Sequence, residues 1–345
     1  MQKKIIALAV AGLVSGAAFA ESNVVISGIV DVGYKYSSDS LTPGRDAQNA
    51  IDDGGQDDTR IKFDGTEDLG NGLKVGFHLE QRLKTDIHGN VGTDNQNLFV
   101  SGAWGTVTAG SFGTALDDIN GYSEAGGMGW GNGVIDMFRS AGWHGNAVKY
   151  NSPNFNGLDF MVAYSTNNTG DTVFGAQEND ANDDNLRAYS ARVSYVNGPV
   201  KAGLAVINER YQTTESHRRE WLLSGSYNFG PVILGAGYAR TNVGGDDNLV
   251  GSEDKRTTYR INVGAPIGAN DAVALSYSHT KSEFKDIDNT AKASGWGLSY
   301  SHSLSKRTNL YASYGQVNQD EDEAVWTVND STYQKAFKVG LRHQF

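Results

Sequence analysis

Apolar and polar residues alternate along most of the chain. From Val24 to Tyr36 the apolar side chains fall mainly on every second position, while Ser27, Asp31 and Lys35 occupy positions between them. A period of two predicts a β-strand with one apolar and one polar face. The alternation returns near residues 73–82, 158–164, 200–209, 221–227, 232–238, 296–300 and 337–345. The first strand spans roughly a dozen residues, which exceeds the five or six residues typical of a soluble sandwich.

The connections between the predicted strands are alternately short and long. Seven short connections lie near residues 71–72, 105, 151–157, 197–199, 230–231, 266–271 and 306–309. Eight long connections lie near residues 38–58, 83–95, 113–145, 167–185, 210–218, 241–255, 282–292 and 318–333. These connections imply about 16 strands, with both ends of the folded chain on the side of the short turns. All five prolines fall in connections, where no hydrogen bond between strands is lost.

The first 20 residues have the character of an export signal. Lys3 and Lys4 precede an apolar run at residues 5–14, and residues 18–20 read Ala-Phe-Ala, a small-x-small cleavage site. We therefore predict a signal peptide over residues 1–20. Because no linker or break in composition divides the remainder, residues 21–345 are predicted to form a single domain.

Composition argues against several classes of protein. Once the predicted signal peptide is removed, 27 basic and 40 acidic residues remain, which argues against nucleic acid as a partner. No later stretch approaches the ~18 consecutive apolar residues of a membrane-spanning helix. The chain has no cysteine, so disulfides cannot hold it together outside the cytoplasm. Glycine accounts for 43 of 345 residues, which weighs against a helical fold.

Alternation alone fits both a soluble β-sandwich and a transmembrane barrel, but three features together favour the barrel. The strands are long enough to cross a bilayer at a tilt, and all long connections fall at one end. Aromatic residues gather at the strand ends: Tyr36, Tyr164 and Tyr238 near the long connections, and Tyr195, Tyr227 and Phe229 near the short turns. We therefore predict a barrel, with a soluble sandwich as the alternative.

The final stretch, residues 336–345, looks like the terminal strand that the outer-membrane assembly machinery reads in bacterial barrel proteins, because it alternates and ends at Phe345. Together with residues 24–31, 59–72, 105–110 and 148–158, it makes residues 24–345 resemble the general (non-specific) trimeric porins of Gram-negative bacteria. The resemblance implies an all-β fold, a 16-stranded antiparallel transmembrane β-barrel. It also implies that the long loop at residues 113–145 folds inward and narrows the pore.

The same resemblance implies a function without a chemical reaction. The protein is expected to form a water-filled channel of the outer membrane for passive diffusion of ions and small hydrophilic solutes, without a cofactor or metal. The expected partners are further copies of the chain in a homotrimer, outer-membrane lipid and lipopolysaccharide, the permeating solutes, and the assembly machinery acting through Phe345.

A porin constriction sets acids on the inward loop against bases on the barrel wall, so that a transverse field sorts solutes by charge. The expected acidic residues are Glu124, Asp117, Asp118 and Asp136, and the expected basic residues are Arg60, Lys62, Arg82 and Lys149. Glu124 is the leading acid because residues 121–124 resemble the family's Gly-Tyr-Ser/Thr-acid segment. Arg60 matches the family's arginine in the second strand. Arg82 could instead pair with Glu80 on the same face of its strand.

Two departures from the family pattern bear on charge selectivity. Gln96 and Ser111 stand where an arginine is common in relatives, so the basic wall is expected to be thin. We therefore predict a modest preference for cations. Acidic clusters such as Asp57-Asp58 are assigned to outer loops, where charges more than ~8 Å from the constriction are largely screened.

Other functions remain open from the sequence. A sugar- or oligosaccharide-specific channel could use the loop aromatics Tyr122, Trp130, Phe138 and Trp143, although these could equally pack the loop against the wall. A membrane hydrolase is less favoured, because the chain lacks a Gly-x-Ser-x-Gly or His-Glu-x-x-His motif and its histidines are scattered. Residues 178–184 offer oxygen ligands for a divalent cation bridging to lipopolysaccharide, but a solvated loop is favoured.

Overall fold

The structure is a computed structural model that describes residues 23–40, 47–86, 92–125, 142–166, 187–210, 216–244, 253–285, 290–319 and 333–345. Within these residues, seventeen strand segments form one antiparallel sheet. They are β1 (Asn23–Ser40), β2 (Gln48–Asp53), β3 (Arg60–Gly70), β4 (Leu73–Arg82), β5 (Gly92–Gly102), β6 (Gly105–Gly113), β7 (Trp143–Asn151), β8 (Leu158–Ser165), β9 (Arg187–Asn197), β10 (Val200–Arg210), β11 (His217–Asn228), β12 (Ile233–Gly244), β13 (Glu253–Ile267), β14 (Asp271–Phe284), β15 (Thr290–Ser303), β16 (Thr308–Gln319) and β17 (Tyr333–Gln344).

The sheet closes into a 16-stranded barrel, as predicted. The number is sixteen because β2 and β3 are two halves of one barrel strand. β2 pairs with the part of β1 from Val32 to Ser37, and β3 pairs with the part from Asn23 to Ile29. The prediction of a long connection over residues 38–58 was therefore wrong, since β1 runs to Ser40 and β2 lies within that range. The described residues contain no helix long and apolar enough to cross a membrane.

The two faces of the wall separate apolar from small or polar side chains. On β10, Leu204 and Val206 point outward and are 43% and 46% exposed, whereas Ala205 and Ile207, which alternate with them, are buried. The same alternation continues along β11, β14 and β15. In a membrane barrel the exposed apolar face meets lipid, and the alternate face lines the lumen.

Aromatic rings on the outer face pack in pairs at both ends of the strands. Near the long connections, Tyr164 lies 4.7 Å from Tyr189 between ring centres. Near the short turns, Tyr227 lies 4.5 Å from Phe229. Amphipathic rings at both ends of the strands are typical of a barrel held between two membrane interfaces.

The barrel closes where β1 meets β17. These strands pair over eleven positions, from Ile29 and Gln344 to Ser40 and Tyr333. At the short-turn end, Gly28 donates its N–H to the carbonyl of Phe345 (3.1 Å), and the Phe345 N–H donates to the carbonyl of Gly28 (3.0 Å). The first and last strands thus end side by side, on the side of the barrel where the short turns were predicted.

Replacing Gly28 with alanine is expected to lower the thermal stability of the barrel. The added Cβ would lie 2.5 Å from both the Arg60 carbonyl oxygen and the Phe345 ring. Relieving that overlap should cost about 1–3 kcal/mol. The measurement is circular dichroism melting of protein refolded in detergent. Gly92→Ala is the control, because its Cβ would meet no atom closer than 3.5 Å. Equal melting temperatures in the two variants would contradict the prediction.

Candidate functional site

The segment predicted to narrow the pore begins where β6 ends at Gly113. Thr114 starts a short helix, α1 (Ala115–Asn120), and a 3-10 turn (Gly121–Ser123) follows. The Thr114 hydroxyl accepts a hydrogen bond from the backbone N–H of Asp117 (3.4 Å), which satisfies one of the free donors of the first helical turn. Of the predicted loop, the structure describes residues 113–125 and 142–145.

Helix α1 lies on the lumen face of the wall. Its apolar side chains Leu116 and Ile119 are almost fully buried. They pack with wall residues that alternate with outward-facing ones, namely Met161, Ala163, Ala205, Ile207, Leu222 and Ala239. The helix approaches closely at Gly203, where a Cβ would lie 2.8 Å from Ile119. The lumen wall is apolar where the helix rests, and half of the wall residues named are alanines. This departs from the polar lumen expected of a barrel.

A buried arginine on β13 fixes the turn after α1. Arg260 donates hydrogen bonds to the carbonyl of Asn120 (2.7 Å) and to the hydroxyl of Ser123 (2.6 Å). Asn262, two residues along, donates its amide to the carbonyl of Ser123 (2.7 Å). These bonds satisfy backbone carbonyls at the end of a helix, which have no partner within the helix itself. The carboxylate of Glu124 lies 3.9 Å from the Arg260 guanidinium, so this acid faces β13.

The two acids of α1 face a different part of the wall. Asp118 accepts a hydrogen bond from the guanidinium of Arg192 on β9 (2.8 Å), and the same guanidinium pairs with Asp159 on β8. The Lys149 ammonium lies 4.5 Å from the centre of the Phe112 ring, a cation–π contact, and close to both acids. The structure thus brings Asp117, Asp118 and Lys149 together.

The carboxyl of Asp117 titrates well above the usual range for an aspartate. Burial contributes most to this shift, which raises the pKa of Asp117 to about 6. The nearby carboxylates of Asp118 and Asp94 raise the pKa further, while Arg82 and Lys149 oppose the shift. The charge of the segment that contains α1 therefore changes over the mildly acidic range.

The other predicted bases form an ion-pair cluster on β3 and β4. Arg60 and Lys62 both approach the Glu80 carboxylate, at 3.0 Å and 3.4 Å. Arg82 pairs with Asp94 (2.9 Å) and Asp58 (3.2 Å). The alternative pairing of Arg82 with Glu80 was wrong, because Glu80 is occupied by the two bases of β3.

The two positions that were expected to thin the basic wall do not face the lumen. Gln96 pairs with Ser111 and lies two residues from Leu98, which is 56% exposed on the outer face. β-Bulges in the pairings of β4 with β5 and of β6 with β7 shift the alternation near these positions. The absence of an arginine at Gln96 and Ser111 therefore removes no charge from the lumen.

Several residues singled out in the sequence lie outside the described part of the chain. They are Asp136, Trp130, Phe138 and the cluster at residues 178–184, together with the side chain of Trp143. Within the described residues, no group of His, Cys, Asp or Glu is arranged to hold a metal ion.

Arg192 and Arg260, which contact the segment after β6 most directly, are not among the bases predicted from the sequence. Each occupies a lumen position in an alternating strand: Arg192 precedes Val193, and Arg260 precedes Ile261, both of which are exposed on the outer face. The strand pattern could have identified them as lumen bases. Their acidic partners lie 74 and 136 positions away in the chain, and no local pattern predicts such pairs.

Comparison with known proteins gives the family. The Gram-negative porin family model matches residues 7–322, and the chain belongs to this family. An outer membrane porin of Bordetella pertussis is 30% identical over 403 residues, with both chains covered completely. Outer membrane porin protein 32 of Delftia acidovorans is also 30% identical, over 373 residues and both full lengths. The anion-selective porin of Comamonas acidovorans is a similar solved structure, with a TM-score of 0.73, 26% identity, and 94% of this chain and 100% of that chain covered.

These findings confirm the predicted function. The protein is a porin of the Gram-negative outer membrane that forms a channel for passive diffusion.

Replacing Arg260 with methionine is expected to loosen the segment that contains α1 and the turn after it. The variant keeps an unbranched side chain but loses the donors to Asn120 and Ser123. Recordings from single channels in planar bilayers should show a larger conductance or more frequent flickering of the open channel. Arg256→Met is the control, because Arg256 lies on the same face of β13 and pairs with Glu253 instead of the turn. Matching records from the two variants would count against the anchoring role.

The charge selectivity of the channel is expected to change with a midpoint near pH 6. Because the pKa of Asp117 is raised to about 6, this carboxyl is charged at pH 7.5 and neutral at pH 5. The permeability ratio of K⁺ to Cl⁻ should therefore fall as the pH drops through 6. Asp117→Asn should remove this step while leaving the contributions of the histidines in place. An identical pH profile in the variant would assign the step to another group.

Proposed function

We propose that the protein is a general diffusion porin with a weak preference for cations, and that its constriction lies between the acids of α1 and the bases of the facing walls. The observation that carries this proposal is the near balance of charge in the ion-pair clusters beside α1 and along β3 and β4. The ion-pair clusters described above, together with Asp57 and Arg342, contain eight acids and seven bases. The acids are Asp57, Asp58, Glu80, Asp94, Asp117, Asp118, Glu124 and Asp159, and the bases are Arg60, Lys62, Arg82, Lys149, Arg192, Arg260 and Arg342.

The sign of selectivity follows from the charges in this lumen and not from family membership. The similar porin of Comamonas acidovorans is anion-selective. In this chain each positive charge of the constriction lies close to a carboxylate, so a passing anion meets a wall that is largely neutralised. The small excess of acids supports a modest cation preference. An ion in a narrow pore passes within the screening length of the charges that line it, so these charges attract cations and repel anions.

A sugar-specific channel of the same fold is the second candidate. Such a channel would need a track of aromatic side chains in the lumen. Tyr122 packs against the apolar cluster beneath α1, and this contact supports a structural role for that residue. The general channel is therefore the better supported function.

We propose three further properties that follow from the porin assignment. Residues 1–20 are removed as a signal peptide, so that residues 21–345 form the mature barrel. The mature protein is a homotrimer in contact with outer-membrane lipid and lipopolysaccharide, a proposal supported by the trimer form of a similar Vibrio cholerae outer membrane protein. Phe345 is read by the assembly machinery, and the channel catalyses no reaction.

The zero-current potential under a tenfold KCl gradient tests the proposed function. Purified protein in a planar bilayer should show stepwise conductance and a potential with the sign of cation preference. Glu124→Gln should weaken that preference, since it removes the acid nearest Arg260. An anion-signed potential would overturn the cation preference and leave the channel intact. An unchanged permeability ratio in the variant would remove Glu124 from the constriction.

Solute flux separates the general channel from the sugar-specific one. In liposome swelling, a general channel should give rates that fall with solute size and do not saturate with concentration. Saturable block of single channels by one class of sugar would instead establish the specific channel.

A further inference from the structure

The second barrel strand contains a surplus of residues at one point. Asp53, at the end of β2, pairs with Val32, and Arg60, at the start of β3, pairs with Ile29. Between these pairs, β1 has two residues, Val30 and Asp31, whereas the second barrel strand has the six residues 54–59. The additional residues cannot lie in the wall. We call residues 54–59 the lumen bulge.

The lumen bulge crosses the inner surface of two strands to reach a third. The side-chain oxygen of Gln56 accepts a hydrogen bond from the Asn309 amide on β16 (2.6 Å). Asp57 pairs with Arg342 on β17 (3.1 Å). Asn309 and Tyr311 flank the outward-facing Leu310, which is 44% exposed, so their side chains lie on the lumen face. The bulge therefore projects into the pore.

A fully buried carboxylate holds the lumen bulge in place. One oxygen of Asp31 accepts the backbone N–H groups of Gln56 (2.7 Å) and Asp57 (2.8 Å). The other oxygen accepts the hydroxyl of Tyr311 (2.7 Å). The backbone N–H of Asp31 donates to the hydroxyl of Thr59 (3.0 Å), which fixes the far end of the bulge. The three hydrogen bonds to this carboxylate are charge-assisted, so they offset part of the free-energy cost of burying its charge.

Three glycines make room for the tyrosine that completes this arrangement. Tyr311 starts on β16 and reaches Asp31 on β1, so its ring must cross β17. A Cβ at Gly340 of β17, at Gly33 of β1 or at Gly55 of the bulge would meet the Tyr311 hydroxyl within contact distance. The tyrosine lies flat across these strands and forms the floor under the bulge.

The lumen bulge brings two acids to the basic wall. Asp57 pairs with both Arg60 and Arg342, and Asp58 pairs with Arg82 (3.2 Å). Arg342 also lies beside the Asp31 carboxylate, its direct neighbour in the pairing of β1 with β17. The assignment of Asp57 and Asp58 to a distant outer loop was therefore wrong. They lie within ion-pair distance of three arginines, where salt does not screen them.

We propose that the lumen bulge is a second constriction element, separate from the α1 segment, and that Asp57 and Asp58 determine charge selectivity by neutralising the arginine wall. Asp31 and Tyr311 act as positioning residues that hold these acids in the pore. This inference rests on the proposed function, because selectivity is defined only for an open channel. It assigns the weak charge preference of that channel to a specific pair of carboxylates.

The double variant Asp57→Asn/Asp58→Asn tests the proposal. It removes two negative charges from beside Arg60, Arg82 and Arg342 with little change in side-chain size. The zero-current potential under a KCl gradient should shift toward anions, with the K⁺ to Cl⁻ permeability ratio falling by about threefold or more.

The matched control is Glu67→Gln/Asp68→Asn. It removes the same charge from β3 near the short turns, where Glu67 and Asp68 lie seven and eight residues beyond Arg60. That is ~25 Å along the strand, farther than a charge acts at physiological salt. A ratio in the bulge variant equal to that of the wild type and the control would overturn the proposal. Because the channels would still conduct, that result would leave the porin function standing. Absence of conductance in the wild type would instead overturn the proposed function.

Tyr311→Phe tests the positioning role. It removes the hydroxyl donor to Asp31 and keeps the ring packed against the three glycines. The variant should shift selectivity in the same direction by a smaller factor, and adding it to the double variant should produce no further shift. A structural role alone would lower the melting temperature in both backgrounds without moving the permeability ratio. That pattern would remove Tyr311 from the selectivity mechanism.

Discussion

Every backbone N–H and C=O group at membrane depth must find its partner within the chain, because hydrocarbon offers none. In this protein the pairing of β1 with β17 meets that requirement, since it leaves the sheet without an open edge. Closure fixes the rest of the arrangement. It sends alternate side chains to lipid and to the lumen, and it leaves an interior with room for water instead of a continuous apolar core. Anything that narrows the interior must be supplied by segments that leave the wall.

Two such segments enter from different sides, and each rests on a surface prepared for it. Helix α1 lies on apolar side chains of the wall, with Gly203 beneath Ile119 and Arg260 holding the turn that follows. The lumen bulge lies on a tyrosine that crosses glycines and is tied to the buried carboxylate of Asp31. In both places the segment covers small or apolar groups on the inner face of the wall. The pore that remains is bordered by paired charges of both signs.

The alternation of apolar and polar residues predicts most of the fold, because neighbouring positions of a strand face lipid and lumen in turn. The broken second strand escaped prediction, since residues 48–59 are rich in Asn, Asp, Gly and Gln and show no apolar alternation. The prediction at Gln96 and Ser111 rested on the family's pattern of positions, and strand pairing beside the exposed Leu98 places both side chains on the outer face instead. Of the predicted site, Asp117, Asp118 and Lys149 come together as side chains. Arg192 and Arg260, which pair with Asp118 and Glu124, belong to strands far away in the chain. Only their lumen-facing positions in alternating strands could have identified them.

The meeting of the two strand ends has a consequence for how the molecule can be redesigned. Gly28 and Phe345 hydrogen-bond to each other near the short turns, so the beginning and the end of the wall are neighbours. Each strand of the barrel is hydrogen-bonded on both sides, so the pairing does not depend on which strand comes first in the chain. A short peptide joining the two ends would complete that ring in the covalent chain as well. New ends could then be opened in one of the long connections without breaking a single pairing of the wall, because those connections tolerate insertion and cleavage far better than strands do.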